Sequence, residues 1–454
     1  MIQSSRIKIL NGAKVRPDGR YVLYWMQASQ RTRFNHALEF AIAQANELQL
    51  PLLVCFGLMD DYPEANARHY AFMLQGLRDV DEDLTHRGIK LVVKHGPPPK
   101  VALHYAKYAA LLLCDRGYTR HQKAWRVEVA EGAACRVIQV ETDCVVPVEI
   151  VSNKAEFAAR TIRPKIHRNL KEYLAPLHQL KLKRSSLHLR IKGNIDVANP
   201  DGALSKLKLD RSVSPSSHFL GGAHEAQRRL RQFISNGING YAYGRSEPAA
   251  GRVSHLSPYL HFGQISPLEI ALAVQNARNV SAQDREAFLE ELIVRRELAI
   301  NFVNFNPKYD RFDALPVWVK QTLKFHSTDR RPYVYSLAKL EDANIHDPYW
   351  NAAQKEMTIT GYMHNSMRMY WGKKILEWTR SPKKAFETAL HLNNKYFLDG
   401  RDPNSYANVG WLFGLHDRPW TRRPIFGTVR YMNAGGLERK FDIDAYINWV
   451  KSLA

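Results

Sequence analysis

Cysteine is scarce in these 454 residues and never closely paired: Cys55, Cys114, Cys135 and Cys144 form no C-x-x-C. That excludes a disulfide scaffold and a zinc ribbon. Cys55 and Cys114 stand inside apolar, strand-like runs and read as buried reduced thiols. No apolar run approaches the ~20 residues of a membrane span; the best, around Pro51–Met59, is about half that length. The opening Met1-Ile-Gln-Ser-Ser-Arg-Ile-Lys has no signal-peptide apolar region, so the expectation is a soluble, intracellular protein. Also missing are G-x-G-x-x-G, a Walker loop, H-E-x-x-H, a Ser-His-Asp triad, an acidic metal cluster, internal repeats and low-complexity tracts. A dinucleotide phosphate loop and zinc-protease or triad hydrolysis therefore have no support. Acidic residues are few as well, 44 against 65 Lys+Arg, a formal charge of +21. A field of that sign attracts polyanions, and nucleic acid is the leading partner.

The length suggests two or more domains. In the first third, strand-like runs at Tyr21–Gln27, Pro51–Leu58, Lys90–Lys94, Ala110–Cys114 and Arg136–Val140 alternate with helical patterns. Five strands alternating with helices predict a Rossmann-like α/β domain with a parallel sheet. From about Val151 to His224 the pattern degrades and turns basic. From Glu225 onward the period is mostly helical. The expected division is an α/β domain over 1–160, a basic linker over 161–224 and an all-helical domain over 225–454.

Four constellations carry possible chemistry, and each also admits a purely structural reading. Ser257-Pro258 and Ser266-Pro267 are helix starts nine residues apart, and helix N-termini suit a diphosphate; plain capping explains them too, with Ser266 to Glu269 reading as a capping box. Trp350, Trp371 and Trp378 are spaced to pass an electron stepwise or simply to pack. The polar residues Arg368, Asn393 and Asp399 lie close to them in sequence. A C-terminal stretch interleaves Trp411, Arg418, Trp420, Arg422, Arg423 and Arg430, a stacking and phosphate platform or a solvated surface. In Glu290-Glu291-Leu-Ile-Val-Arg295, Glu291 and Arg295 are four apart and pair on a helix face, or Glu291 is a site acid and Arg295 sits beside a phosphate. His364 and His416 read as structural hydrogen-bonding residues. The shortage of acid–base groups fits a cofactor that carries the difficult chemistry.

Taken together, LSPYLHFGQISP (256–267), EELIVRRELAIN (290–301), HDPYWNAAQ (346–354), MRMYWGKKILEW (367–378), DGRDPN (399–404) and HDRPW (416–420) resemble the photolyase–cryptochrome family, specifically its class II cyclobutane pyrimidine dimer photolyases. The resemblance covers nearly the whole chain. It implies FAD, active as the reduced anion FADH−, inside the helical domain. It also implies an antenna chromophore, 8-hydroxy-5-deazaflavin or methenyltetrahydrofolate, as an option for the α/β domain. The partner implied is UV-damaged DNA bound by a monomer, with no membrane involved. The dimer is flipped out of the duplex, as photolyases do.

Position by position, the resemblance assigns Tyr241, Arg245, Ser254, Leu256, Ser257, Gln264 and Arg295 to FAD. Arg368 and Asp399 would flank the isoalloxazine, and Asn393 would face its N5. Trp371, Trp350 and Trp378 match an electron chain from the flavin outward. Glu291 and Met369 would face the lesion, Trp411 would stack on it, and Arg418 and Arg430 would fill the gap it leaves. Trp420, Arg422 and Arg423 complete the DNA face. Tyr243–Pro248 and His255 depart from the family's usual wording, and Val294 stands where class I enzymes place a second stacking Trp. A cryptochrome-like photosensor is the alternative, although no long tail follows Trp449. A non-catalytic nucleic-acid binder is the third reading.

Overall fold

The computed structural model of the chain describes residues 2–453. Six strands form one sheet: β1 (Ile7–Ile9), β2 (Tyr21–Trp25), β3 (Leu52–Leu58), β4 (Lys90–His95), β5 (Ala109–Asp115) and β6 (Arg136–Val140), in spatial order β1-β6-β5-β2-β3-β4. The five expected strands are the parallel set; β1 is an additional antiparallel edge on β6. It escapes sequence reading because it is only three residues long, partly exposed, with Lys8 at its centre. A short strand carrying Lys is how sheets protect an edge.

β2, β3 and β5 are buried at every position, the signature of a sheet covered on both faces. Alternate residues divide between two cores. Val22 and Tyr24 pack with the His36–Glu47 and Ala67–His86 helices, while Tyr21, Leu23 and Trp25 pack with Pro98–Ala106 and Arg120–Gly132. Each such buried side chain contributes roughly 1.5–3 kcal/mol. All four cysteines are free and buried.

Within 161–224 the structure is more regular than the composition suggests. A 15-residue helix, Ala159–Tyr173, opens the stretch. The remainder lies along the α/β domain, where Ile195 bridges Val93 and Val197, Ala203 and Leu207 join its core.

The helical half centres on the Pro348–Thr360, Asn365–Trp378, Pro382–Tyr396 and Pro403–Leu412 helices, packed around the three buried tryptophans. Three of these four begin with Asp or Ser followed by Pro: Asp347, Ser381 and Asp402 each accept a first-turn N–H, and the Pro occupies a position whose N–H would be unused. Ser266 likewise caps through Leu268 N, but the expected capping box is incomplete, because Glu269 pairs instead with Arg33 at 3.0 Å.

The two halves dock through polar side chains. Buried Arg31 reaches Asp143 at 2.8 Å and the Gly263 carbonyl at 2.9 Å. Gly263 (φ +65°) lies so close that a Cβ would sit 1.9 Å from the Ala28 carbonyl. Arg68 donates to the carbonyls of Ser214, Met357, Thr358 and Tyr396.

Candidate active site

A cavity of about 250 Å³ opens in the helical domain. Seven of the residues expected at the site line it: Tyr241, Ser254, Leu256, Ser257, Glu291, Arg368 and Asp399. Local structure explains their convergence. Ser281 caps the helix that follows it, and Asp284 in that first turn accepts from Gly240 N (3.0 Å) and Ala242 N (2.8 Å), which pins the turn carrying Tyr241. Burial pushes the Tyr241 phenol up to about 12, so it remains a neutral donor. Ser257 opens a short helix at the wall, while Ser266 is fully buried away from it.

On the opposite wall, Arg368 and Asp399 pair at 3.2 Å. Arg368 is 8% exposed, lies over the Phe397 ring at 3.8 Å, and its Nε has no partner among the described residues. A buried guanidinium with an unused donor at a cavity wall fits a ligand that brings an acceptor. His364 behaves as expected of a structural residue: it caps the Asn365–Trp378 helix through Ser366 N, and burial lowers it to about 4.

Five expectations need correction. Arg295 does not reach the cavity, and it does not pair with Glu291. Residues 290–295 form a π-helical turn, whose i→i+5 geometry brings Glu290 beneath Arg295 at 3.1 Å. Glu291 is thereby released to the cavity, where Arg245 holds it at 2.5 Å; Arg245, expected on the cofactor, is itself absent from the wall, and Arg296 lines it instead of Arg295. Gln264 serves domain docking, accepting from Gly222 N and donating to Phe72 O. Asn393 is buried behind the wall, with its amide on Ser405 and Asn394; Ser405 in turn donates to the Asp399 carbonyl at 2.9 Å. Met369, expected to face the lesion, is half-buried against the helical core.

Sequence reading missed Asn404 and Asn408, four apart on one face of the Pro403–Leu412 helix, and Asp402 before them. Their signal was the DGRDPN motif, extended by one helical turn. Tyr362 and Met363 also line the wall from the connection after Gly361, and nothing in their spacing marks them.

The tryptophans form a connected buried set behind Arg368. Trp371 Nε1 donates to Gln354 Oε1 (2.8 Å), and Trp350 Nε1 donates to the Trp371 carbonyl (3.0 Å). The Trp350 and Trp378 rings lie 5.9 Å apart. Trp378 does not reach solvent; it is 1% exposed, and Tyr335 (5.6 Å) and His346 (5.2 Å) continue the aromatic series toward exposed Tyr333.

Outside the cavity the surface becomes basic and aromatic. Arg295 lies 5.8 Å from the half-buried Trp411 ring. Trp420 lies between Arg418 (5.3 Å) and Arg430 (5.0 Å). Arg422 sits by Phe325 and Arg423 by Tyr431. His416 is structural, its Nδ1 2.8 Å from the Phe157 carbonyl. A second cavity of about 120 Å³ lies beyond the C-terminal ends of β2 and β3, lined in part by Gln27, Leu58, Trp125 and Phe262.

Comparison with known proteins agrees with this architecture. The model of the DNA photolyase family matches residues 22–182. A deoxyribodipyrimidine photo-lyase from Methanothermobacter thermautotrophicus is 49% identical over 453 residues, covering all of this chain and 99% of that protein. One from Arabidopsis thaliana is 36% identical, covering all of this chain and 94% of that one. Among solved structures, a class III photolyase from Agrobacterium tumefaciens superposes with a TM-score of 0.74 at 18% identity, over 97% of this chain and 87% of that one. A Synechocystis cryptochrome gives 0.71 at 16% identity, over 94% and 88%.

Proposed function

The chain belongs to the photolyase family, and we propose that it splits cyclobutane pyrimidine dimers in DNA as a class II enzyme. Light-driven DNA repair with FAD is its activity, and no helix is long and apolar enough to cross a membrane. The observation that carries the finer reading is the cavity itself: its wall holds the Arg368–Asp399 pair with the unused Arg368 Nε, and the same domain carries a separate basic, aromatic surface.

When bound, reduced FAD would supply the light-driven electron chemistry that splits the cyclobutane ring. The protein supplies position and charge. Arg368 and Asp399 would hold the isoalloxazine, and Tyr241, Ser254, Leu256 and Ser257 would hold the rest of the cofactor. Asn393 acts on this wall through Ser405. Trp371, Trp350 and Trp378 would form the route by which electrons from an external reductant pass inward through the core. Arg245 orients Glu291 toward the flipped dimer, Trp411 stacks on it, and Arg418 and Arg430 enter the space it vacates. The protein acts as a monomer inside the cell, where its buried thiols stay reduced. The smaller cavity beyond β2 and β3 is the place for an antenna chromophore, since parallel sheets bind ligands at that edge.

Illumination of the reduced, purified protein with thymine-dimer DNA tests the reading: dimers are restored to thymines, and dimers left unchanged would refute it. Trp371→Phe separates the two electron routes. It slows photoreduction of oxidised flavin while chemically pre-reduced enzyme still repairs; equal loss of both activities would remove Trp371 from the relay.

A further inference from the structure

The Ala159–Tyr173 helix carries five cations and one acid, and it divides the cations between two jobs. Arg163 pairs with Glu290 at 2.7 Å, and Lys165 pairs with Glu156 at 2.5 Å. These two fasten the helix to the body, together with buried Ile162 and Ile166. Arg160, Arg168 and Lys171 are exposed, and among the described residues none has an ion-pair or hydrogen-bond partner. Their spacing of eight and three residues puts them on one face.

Helix stability does not account for this stripe. Arg160 lies in the first turn, where the macrodipole disfavours a cation, and no acid accompanies it there. Only Lys171, in the last turn, has a favourable position for the helix itself. At its Arg160 end the stripe also adjoins a mainly basic groove. Arg160 and Arg163 share a groove with Arg295, Arg418, His416 and a single acid, Asp417, and Arg295 lies by the Trp411 ring.

We propose that the outward face of this helix is a second DNA-binding tract, which holds the phosphates of the duplex on one side of the lesion. The proposal rests on the repair reading above and extends it from the dimer to its flank. From Arg160 to Lys171 the helix advances about 16 Å, close to half a turn of B-DNA at ~34–36 Å per turn. Three cations along that length face a lattice with one charge per ~1.7 Å of duplex. The occupant is a polyanion of fixed pitch, and the charge complementarity and continuity with the Arg295–Arg418 groove both select duplex DNA.

The test uses the full-length protein with Arg160→Gln, Arg168→Gln and Lys171→Gln combined. Its affinity is measured against salt for a dimer-containing duplex with arms of about 15 base pairs, roughly one and a half turns, and for the same duplex with either arm cut back to the lesion. Three lost phosphate contacts lower the slope of log K against log salt by about 2–3 on the long duplex. Cutting one arm removes the difference between variant and wild type; cutting the other preserves it. Equal slopes for the two proteins on the long duplex, or a difference that survives both truncations, would overturn the proposal. Arg160→Lys with Arg168→Lys retains the slope if charge is the cause; loss of slope there also counts against it. Repair of the short-armed dimer by wild type is scored separately, so failure of the repair reading and failure of the tract are told apart.

Discussion

Arginine stands both in the cavity wall and on the basic, aromatic surface, under opposite electrostatic conditions. Arg368 is 8% exposed, paired with Asp399 and laid over an aromatic ring. Arg418, Arg422 and Arg423 are exposed, and each lies near a ring at 5.2–5.4 Å. A charge in the wall is weakly screened, so its partner is obligatory. A charge on the face is screened by salt and works as one of several. The same contrast holds for tryptophan: Trp350, Trp371 and Trp378 are sealed in the core, while Trp411 is half-buried and Trp420 is 39% exposed. The residues proposed to handle the electron are fixed by packing, and those proposed to meet DNA are left free to adapt.

The comparison breaks first where the wall is cut. Asp399→Ala leaves Arg368 buried without its carboxylate, a loss of about 3–5 kcal/mol for a buried pair. The expected outcome is protein purified with little or no flavin, checked by absorbance; full flavin content would mean that the pair is dispensable to the cofactor.

Next in size is a titration beneath the wall. Burial raises the Glu356 carboxyl to about 7, against hydrogen bonds from Tyr446 and the His364 amide. The folded state therefore retains a proton that the unfolded chain releases near 4.5. Stability from this group is present below pH 4.5 and declines as pH rises to 7, by an amount on the order of 3 kcal/mol. Glu356→Gln removes the titration, so its stability relative to wild type grows across that window in denaturant melts. A constant difference from pH 4.5 to 8 would show that Glu356 is not held protonated.

The wall and the face were unequally legible in the sequence. Strands buried on both faces and helices begun by Asp-Pro or Ser-Pro announce themselves through continuous apolar runs and N-cap chemistry, so the α/β half and the order of the helices were readable. Arg295 was misassigned because a π-turn changes which residues share a face, and no local composition marks such a turn. Gln264 was misassigned because a motif read as one functional unit is shared between cofactor wall and domain docking. Asn393 shows a third limit: a residue can belong to a site through an intermediary, here Ser405, and one-dimensional spacing does not reveal the order of contacts. The face was recognised as a set because basic–aromatic interleaving is a compositional signal, although no residue within it could be ranked.

The smallest effect expected is on that face. Trp411 is half-buried beside Arg295 and away from the lined cavity wall, so Trp411→Ala leaves flavin content intact. Stacking of a base on an aromatic ring is worth about 1–3 kcal/mol, which predicts roughly a 5- to 150-fold weaker affinity for dimer-containing DNA. Its salt dependence stays unchanged, because stacking releases no phosphate counterions. The wild-type and variant lines of log K against log salt are then parallel and offset. If they converge at high salt instead, Trp411 acts by positioning Arg295 against phosphate, and the boundary between wall and face lies one residue further out than the structure suggests.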